Sequence, residues 1–121
     1  MGKLVLIVDD STFMRELVAS ILRRAGYEVL EGSNGQEGLK QLDDHRVNLI
    51  ISDVNMPVMD GFTFVKQVRA SAANEFTPIL MLTTESNEEK KKEGKAAGAS
   101  GWVVKPFDPP LLLQTIAKVV R

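Results

Sequence analysis

The stretch Leu4-Val5-Leu6-Ile7-Val8-Asp9-Asp10 decides the fold, because five apolar residues run without interruption into two acidic residues. An apolar run without alternation is typical of a strand that helices cover on both faces of a parallel sheet. The pattern recurs twice along the chain: residues 49–51 lead into Ser52-Asp53, and residues 102–104 lead into Lys105-Pro106. These three segments are therefore predicted to be buried strands that end in polar side chains.

Strand patterns alternate with helical patterns from one end of the chain to the other. The predicted strands are residues 4–8, 27–30, 49–51, 79–82 and 102–104. The first predicted helix starts after a cap at Asp10 or Ser11 and ends by Gly26, and the next two cover residues 35–43 and 62–70. The fourth runs from a cap at Asn87 to Ala97, and the fifth opens at Asp108-Pro109-Pro110. This alternation predicts an α/β fold, in which right-handed crossovers connect five parallel strands and helices lie on both faces.

The helical patterns predict which side chains are buried, and the helix over residues 62–70 has Phe62, Val65 and Val68 on its inner side. The first helix carries apolar residues at three- and four-residue spacing, which indicates one buried face: Phe13, Met14, Leu17, Val18, Ile21 and Leu22. The helix that Asn87 caps is charged nearly all round, so only Ala96 and Ala97 are expected to be buried on it.

Composition restricts the class of protein. A chain of 121 residues with 44% hydrophobic residues is expected to form one domain, residues 1–121, with no separate output domain. Fifteen basic and sixteen acidic side chains give no reason to expect binding to nucleic acid or to a membrane surface. The absence of cysteine excludes thiol chemistry, and no apolar stretch approaches the ~20 residues that span a bilayer. We therefore expect a cytoplasmic protein.

The polar residues after the strands indicate chemistry at one edge of the sheet. If the three runs are neighbours, Asp9, Asp10 and Asp53 converge there with Lys105, because ligands of such sheets bind at the carboxyl ends of the strands. Carboxylate oxygens suit a hard divalent cation, and an ammonium group suits an anion beside it. Together they point to phosphoryl chemistry on an aspartate. Taken singly, Asp9 or Asp10 is explained as well by a helix cap or turn residue without a chemical role as by a site, and Asp60-Gly61 is best interpreted as turn chemistry.

In combination, these motifs resemble those of a response-regulator receiver domain, and most nearly a single-domain chemotaxis regulator of the CheY type. The resemblance covers the whole chain and rests on Asp9-Asp10, Asp53, Asn55-Met56-Pro57, Asp60-Gly61, Thr83 and residues 101–106. It implies a doubly wound, flavodoxin-like sheet with strand order 2-1-3-4-5 and five helices, an order for which CheY is itself a standard example.

The resemblance also implies a role for each residue of the acidic edge. Asp53 would be the phosphoacceptor. Asp10 and Asp53 would be carboxylate ligands of Mg²⁺, the backbone carbonyl of Asn55 a further ligand, and Asp9 would act mainly through water. Lys105 would pair with one phosphoryl oxygen, and Thr83 would hydrogen-bond another. The peptide bond Lys105-Pro106 would be cis, as in the family.

A second set of implied roles concerns the signal. Thr83 and Trp102 would form the switch, with tryptophan where many relatives carry tyrosine or phenylalanine. Asn55 and Glu85 would tune dephosphorylation toward a short-lived phosphorylated state. The output surface would include Trp102 and the lysines of the charged helix: Lys90, Lys91, Lys92 and Lys95.

The phosphoryl group must come from another molecule, because the chain lacks a G-x-x-x-x-G-K loop for ATP. By resemblance, the donor is a sensor histidine kinase of the CheA type or a small acyl phosphate, and the target is a downstream protein, with the flagellar motor switch as the candidate. The chain would catalyse only its own phosphorylation and dephosphorylation. The alternatives are a phosphate sink, a constitutive interaction module and an aspartate-nucleophile phosphatase. The phosphatase would need a second acid where Asn55 stands.

Overall fold

The computed structural model describes residues 2–121, in which five strands alternate with five α-helices. The elements are β1 (Leu4–Val8), α1 (Thr12–Arg24), β2 (Glu28–Gly32), α2 (Gly35–Asp44), β3 (Leu49–Ser52), α3 (Gly61–Ala70), β4 (Ile79–Thr83), α4 (Glu88–Ala97), β5 (Gly101–Val104) and α5 (Pro109–Val119), with a short 3-10 helix at Ala72–Asn74. Across these residues, no helix is both long and apolar enough to cross a membrane.

The strands form one parallel sheet in the order β2-β1-β3-β4-β5, which confirms the predicted fold. The register sets the level at which each strand ends. Val8 pairs with Ser52, and Thr83 pairs with Val104. The next residues along the chain, Asp9, Asp53 and Lys105, therefore leave the sheet at the same edge.

The core has two layers, one on each face of the sheet. Successive side chains of a strand point to opposite faces, so Leu6 and Val8 pack with the α3 side chains, whereas Val5 and Ile7 pack with those of α1 and α5. All four of these β1 side chains are at most 2% exposed. This arrangement explains why the central strands are apolar throughout rather than alternating.

The predicted buried face of α1 was partly wrong. Val18 and Leu22 are buried, but Phe13 is 75% exposed and Leu17 is 39% exposed. Each residue of a helix turns the chain by about 100°, so Phe13 lies about 140° round the axis from Val18 and points away from the sheet. A helix that packs on a single sheet buries a narrower stripe than the apolar pattern of this segment suggests.

Two other expectations need correction. The second strand is Glu28–Gly32, later than the predicted residues 27–30, and its two glutamates reflect its position at the edge of the sheet. On α4, Ala97 is buried as expected, but Ala96 is exposed and the other buried residue is Gly94.

The loop after β3 contains a tight turn at a β-branched residue. Val58 has a φ of 71°, and the Met59 N–H donates to the Pro57 carbonyl at 2.7 Å across it. Such three-residue turns with positive φ are strained, most of all for a β-branched side chain. The Val58 side chain is 71% exposed, so little packing offsets that strain.

We expect Val58→Asn to raise the free energy of unfolding by about 1 kcal/mol, because asparagine tolerates the left-handed region that valine resists. Urea denaturation of the two proteins measures the difference. Val58→Ile, which keeps an apolar β-branched side chain and the steric penalty, should show no comparable gain. A Val58→Asn variant that is no more stable than wild type would contradict this account.

Candidate functional site

Three carboxylates meet at the carboxyl edge of the sheet, as the strand ends predict. Asp9 and Asp10 follow β1, Asp53 follows β3, and oxygens of all three lie within 4.8 Å of one another. Oxygen donors at this spacing are suited to a hard divalent cation such as Mg²⁺, which takes a few carboxylates and retains several waters. The donor set of the described residues therefore fits the predicted ion.

Asp9 is the buried member of the cluster, with 4% of its surface exposed. One carboxylate oxygen accepts from the Ser11 N–H at 2.9 Å, and the other accepts from Lys105 Nζ at 2.9 Å. The α1 cap is supplied by Ser11, whose Oγ accepts from the Met14 N–H. Of the two candidates for that cap, Asp10 and Ser11, Ser11 is thus the correct one.

Lys105 lies between two carboxylates. Its ammonium is 2.9 Å from Asp9 Oδ2 and 3.2 Å from Asp53 Oδ2. Burial by itself would lower the pKa of Lys105, but the hydrogen bonds and charges of Asp9 and Asp53 outweigh it and raise that pKa above its ordinary value. The following Lys105-Pro106 peptide bond is cis, as expected.

The backbone around Asp53 is fixed by its neighbours in the chain and by α3. Asp53 Oδ1 accepts from the Val54 N–H at 2.7 Å. The Gly61 N–H donates to the Val54 carbonyl at 2.7 Å, and Asp60 caps α3 by accepting from the Thr63 N–H. A Cβ on Gly61 would overlap the Asp53 carbonyl and lie 2.8 Å from the Val54 Cα. Gly61 is therefore more than a turn residue, since it permits close approach to the Asp53 backbone.

Glu85 connects the residues that were predicted for switching and tuning. Its N–H donates to Thr83 Oγ1 at 3.3 Å, and its carbonyl accepts from Trp102 Nε1 at 2.9 Å. Its carboxylate accepts from Asn55 Nδ2 at 3.4 Å. Glu85 therefore joins three segments: Asn55 in the loop after β3, Thr83 at the end of β4 and Trp102 on β5.

The residues predicted for the output surface make different contacts. The Trp102 ring stacks on Phe62 with a centroid distance of 6.3 Å, and Lys90 Nζ lies 5.7 Å from the centroid of the Phe62 ring. Lys91 Nζ is 3.6 Å from Glu88 on the same helix. Lys95 lines a surface pocket of about 270 Å³ beside Trp102. These residues share one surface on α4 and β5.

The chain matches the family model described as the response regulator receiver domain over residues 5–117. It belongs to this family. CheY4 of Vibrio cholerae, a chemotaxis protein of known structure, is 54% identical and superimposes with a TM-score of 0.96 over 99% of this chain and 100% of that one. Chemotaxis protein CheY1 of Helicobacter pylori is 38% identical over 118 residues, which cover 96% of this chain and 95% of the relative.

A third relative extends the comparison. The CheY homolog of Campylobacter jejuni is 38% identical over 118 residues, which cover 96% of this chain and 91% of the relative. The receiver domain described here is therefore CheY-like in sequence over nearly its whole length and in fold.

Sequence patterns missed three residues that shape the receiver site. Phe62 was expected only on the inner side of α3, yet its ring stacks on Trp102. Arg15 donates to the Asp9 carbonyl at 2.8 Å and pairs with Glu31 at 3.1 Å, which ties α1 and β2 to the acidic edge. Gly61 touches the Asp53 backbone. The dipeptide Asp60-Gly61 signals a turn, but no local pattern reports which backbone a glycine approaches.

We expect Gly61→Ala to lower the free energy of unfolding by about 2 kcal/mol, because the new methyl group must displace the backbone that carries Asp53. Gly35→Ala is the matched control, since both glycines are buried and open a helix. The Cβ at position 35 would meet the flexible Met59 side chain, which can move aside. Equal losses for the two variants in urea denaturation would refute the steric role of Gly61.

Replacing Lys105 by methionine removes the charge and keeps most of the side-chain volume. We expect Lys105→Met to lower the free energy of unfolding by about 3 kcal/mol at pH 7 without divalent cations, because Asp9 and Asp53 lose their cation. Lys40→Met, on the exposed side of α2, should have little effect.

The difference in unfolding free energy between wild type and Lys105→Met should depend on pH. Because the pKa of Lys105 is raised in the folded state, its contribution is fully present below the ordinary lysine pKa of about 10.4 and is lost as the pH rises through the raised value. The difference between wild type and Lys105→Met should stay constant from neutral pH to about pH 9 and shrink in stronger base. A difference that is unchanged across the whole range would exclude the ion pair as its source.

Proposed function

We propose that this chain is a stand-alone response regulator that accepts a phosphoryl group on Asp53 and passes the signal through the α4, β5 and α5 surface. The observation that carries the proposal is the position of Lys105, whose ammonium lies 3.2 Å from an Asp53 oxygen at an edge that also carries Asp9 and Asp10. A phosphoryl group that arrives at Asp53 meets both a cation and a set of metal-binding oxygens.

Asp10, Asp53 and the Asn55 carbonyl are the residues proposed to hold Mg²⁺, with Asp9 acting through water. When bound, the ion supplies positive charge that offsets repulsion between the acidic edge and a phosphoryl group. Asp10 is exposed and Asp53 is half-buried, so solvent can reach this side of the cluster.

The residues of the chain then act by orienting and neutralising. In the proposed transfer, an Asp53 oxygen forms a bond to phosphorus, and the bond from phosphorus to the donor breaks, which leaves the electron pair on the donor nitrogen or oxygen. The Val54 N–H holds one Asp53 oxygen at 2.7 Å and orients the carboxylate. Lys105 would exchange its contact with Asp53 for one with a phosphoryl oxygen, and Thr83 would hydrogen-bond another.

The proposed output depends on Glu85. If Thr83 Oγ1 turns toward a phosphoryl oxygen, the hydrogen bond from the Glu85 N–H must adjust, and the Glu85 carbonyl that holds Trp102 adjusts with it. The side chains of Asn55 and Glu85, which contact each other at 3.4 Å, are proposed to control the access of water to Asp53 and thereby the lifetime of the phosphorylated state.

The proposed partners follow from the family resemblance. We propose that a sensor histidine kinase of the CheA type supplies the phosphoryl group in the cytoplasm. The target binds the surface that includes Trp102, Lys90, Lys91, Lys92 and Lys95, and a flagellar motor switch protein is the proposed target. Beyond its own phosphorylation and dephosphorylation, the chain carries out no reaction on an outside substrate.

Labelling with acetyl phosphate tests the acceptor. Wild type incubated with Mg²⁺ and acetyl phosphate should gain the mass of one phosphoryl group, and the product should be labile in base because it is a mixed anhydride. Asp53→Asn should gain none, whereas the matched change Asp43→Asn on the exposed end of α2 should label like wild type. Retained labelling of Asp53→Asn would contradict the proposal that Asp53 is the acceptor.

A further inference from the structure

Gly94 lies in the interior of α4, where glycine is an unfavourable residue. Glycine loses more backbone freedom on helix formation than alanine does, so an interior glycine weakens a helix. Gly94 is buried, in contrast to the exposed residues on either side of it, Glu93 and Lys95. Its φ is not in the left-handed region, so backbone conformation does not require glycine there.

The space above Gly94 is filled by Trp102. A Cβ at position 94 would lie 2.7 Å from Cζ3 and 3.1 Å from Cε3 of the indole, and 3.5 Å from the Phe62 ring. Carbon atoms do not approach so closely, so either the ring or the helix would have to move. The glycine therefore leaves room for the larger ring system of tryptophan.

The indole is also held on its other sides. The Phe62 ring stacks on it with an interplanar angle of 22°, and its Nε1 donates to the Glu85 carbonyl at 2.9 Å. We call this arrangement the inner position of Trp102: ring on Gly94 and Phe62, Nε1 bonded to Glu85. Moving the ring away from Gly94 would therefore disturb these two contacts as well.

A surface pocket beside Trp102 can receive a displaced indole ring. A surface pocket of about 270 Å³ lies next to Trp102 and is lined by Lys91, Lys95, Ala99, Ser100 and Gly101. A ring that left Gly94 would turn toward this pocket and toward solvent.

We propose that Gly94 is a positioning residue for Trp102, and that its missing side chain is what allows α4 to keep the indole in the inner position. This inference rests on the proposed function in one respect, the role of Trp102 as the switch residue. The position of the ring can be measured with no phosphoryl group or metal present.

Trp102 is the only tryptophan, so its fluorescence reports this one ring. In Gly94→Ala, we expect the emission maximum to shift to longer wavelength and the acrylamide quenching constant to rise severalfold, because the ring is expelled toward solvent. Glu93→Ala is the control, since it introduces alanine at the neighbouring exposed position. An emission spectrum and quenching constant in folded Gly94→Ala that match wild type would overturn the proposal.

A second pair of variants separates the ring contact from general damage to α4. In a Trp102→Val background the Cβ at position 94 has room, so Gly94→Ala should raise the urea midpoint there, whereas it should lower the midpoint when Trp102 is present. The same change of midpoint in both backgrounds would show that the indole is not what requires glycine, and this comparison does not depend on fluorescence.

The outcome is independent of the acceptor assignment. Gly94 lies on α4, away from the carboxylate cluster, so Gly94→Ala should still label with acetyl phosphate. If labelling of Asp53 itself fails, the proposed function falls, while the fluorescence and midpoint results still decide the role of Gly94.

Discussion

The ion pairs that Lys105 makes with Asp9 and Asp53 are the interaction on which the rest of the site depends. The register of β1 and β3 brings three carboxylates to one edge, where their charges repel and where Asp9 is almost completely removed from solvent. A buried carboxylate without a partner is costly. The ammonium of Lys105 offsets that cost for Asp9 and Asp53 together, because it contacts one oxygen of each. The acidic edge is thus stable in the absence of ligand, while Asp10 stays exposed to solvent.

The ion pairs of Lys105 also prepare the acidic edge to bind an anion. The lysine is already desolvated and positioned beside Asp53, so an incoming phosphoryl oxygen needs only to replace a carboxylate oxygen as its partner. The Val54 N–H and the close packing of Gly61 keep the Asp53 backbone in place during that exchange. Little of the fold needs to move at the proposed acceptor, Asp53. The structural change is therefore expected in the β4–α4 loop, where Glu85 joins Thr83 to Trp102.

The sequence patterns predicted the elements and the site unequally. Apolar runs that end in charge located three of the strands and the carboxylate edge, because burial on both faces of a parallel strand leaves an uninterrupted apolar run in the sequence. The strand order came from the family resemblance, since periodicity does not state which strands are neighbours. Phe13 and Leu17 were misjudged because helical spacing marks an apolar face but not its width. Gly61 and Phe62 were missed because their roles depend on contacts between distant segments.

The weakness of α4 explains how a small change at Glu85 could matter. This helix buries only Gly94 and Ala97, so it has little apolar surface to hold it against the sheet. Its C-terminal end is tied down by Arg69, whose guanidinium donates to the Gly98 carbonyl at 3.0 Å and to the Thr77 carbonyl at 2.6 Å. Ala97 packs in the core, and the rings of Trp102 and Phe62 lie against the helix at Gly94 and Lys90. Moving the indole would therefore remove one of the few contacts that hold α4, while Arg69 keeps the C-terminal end fixed.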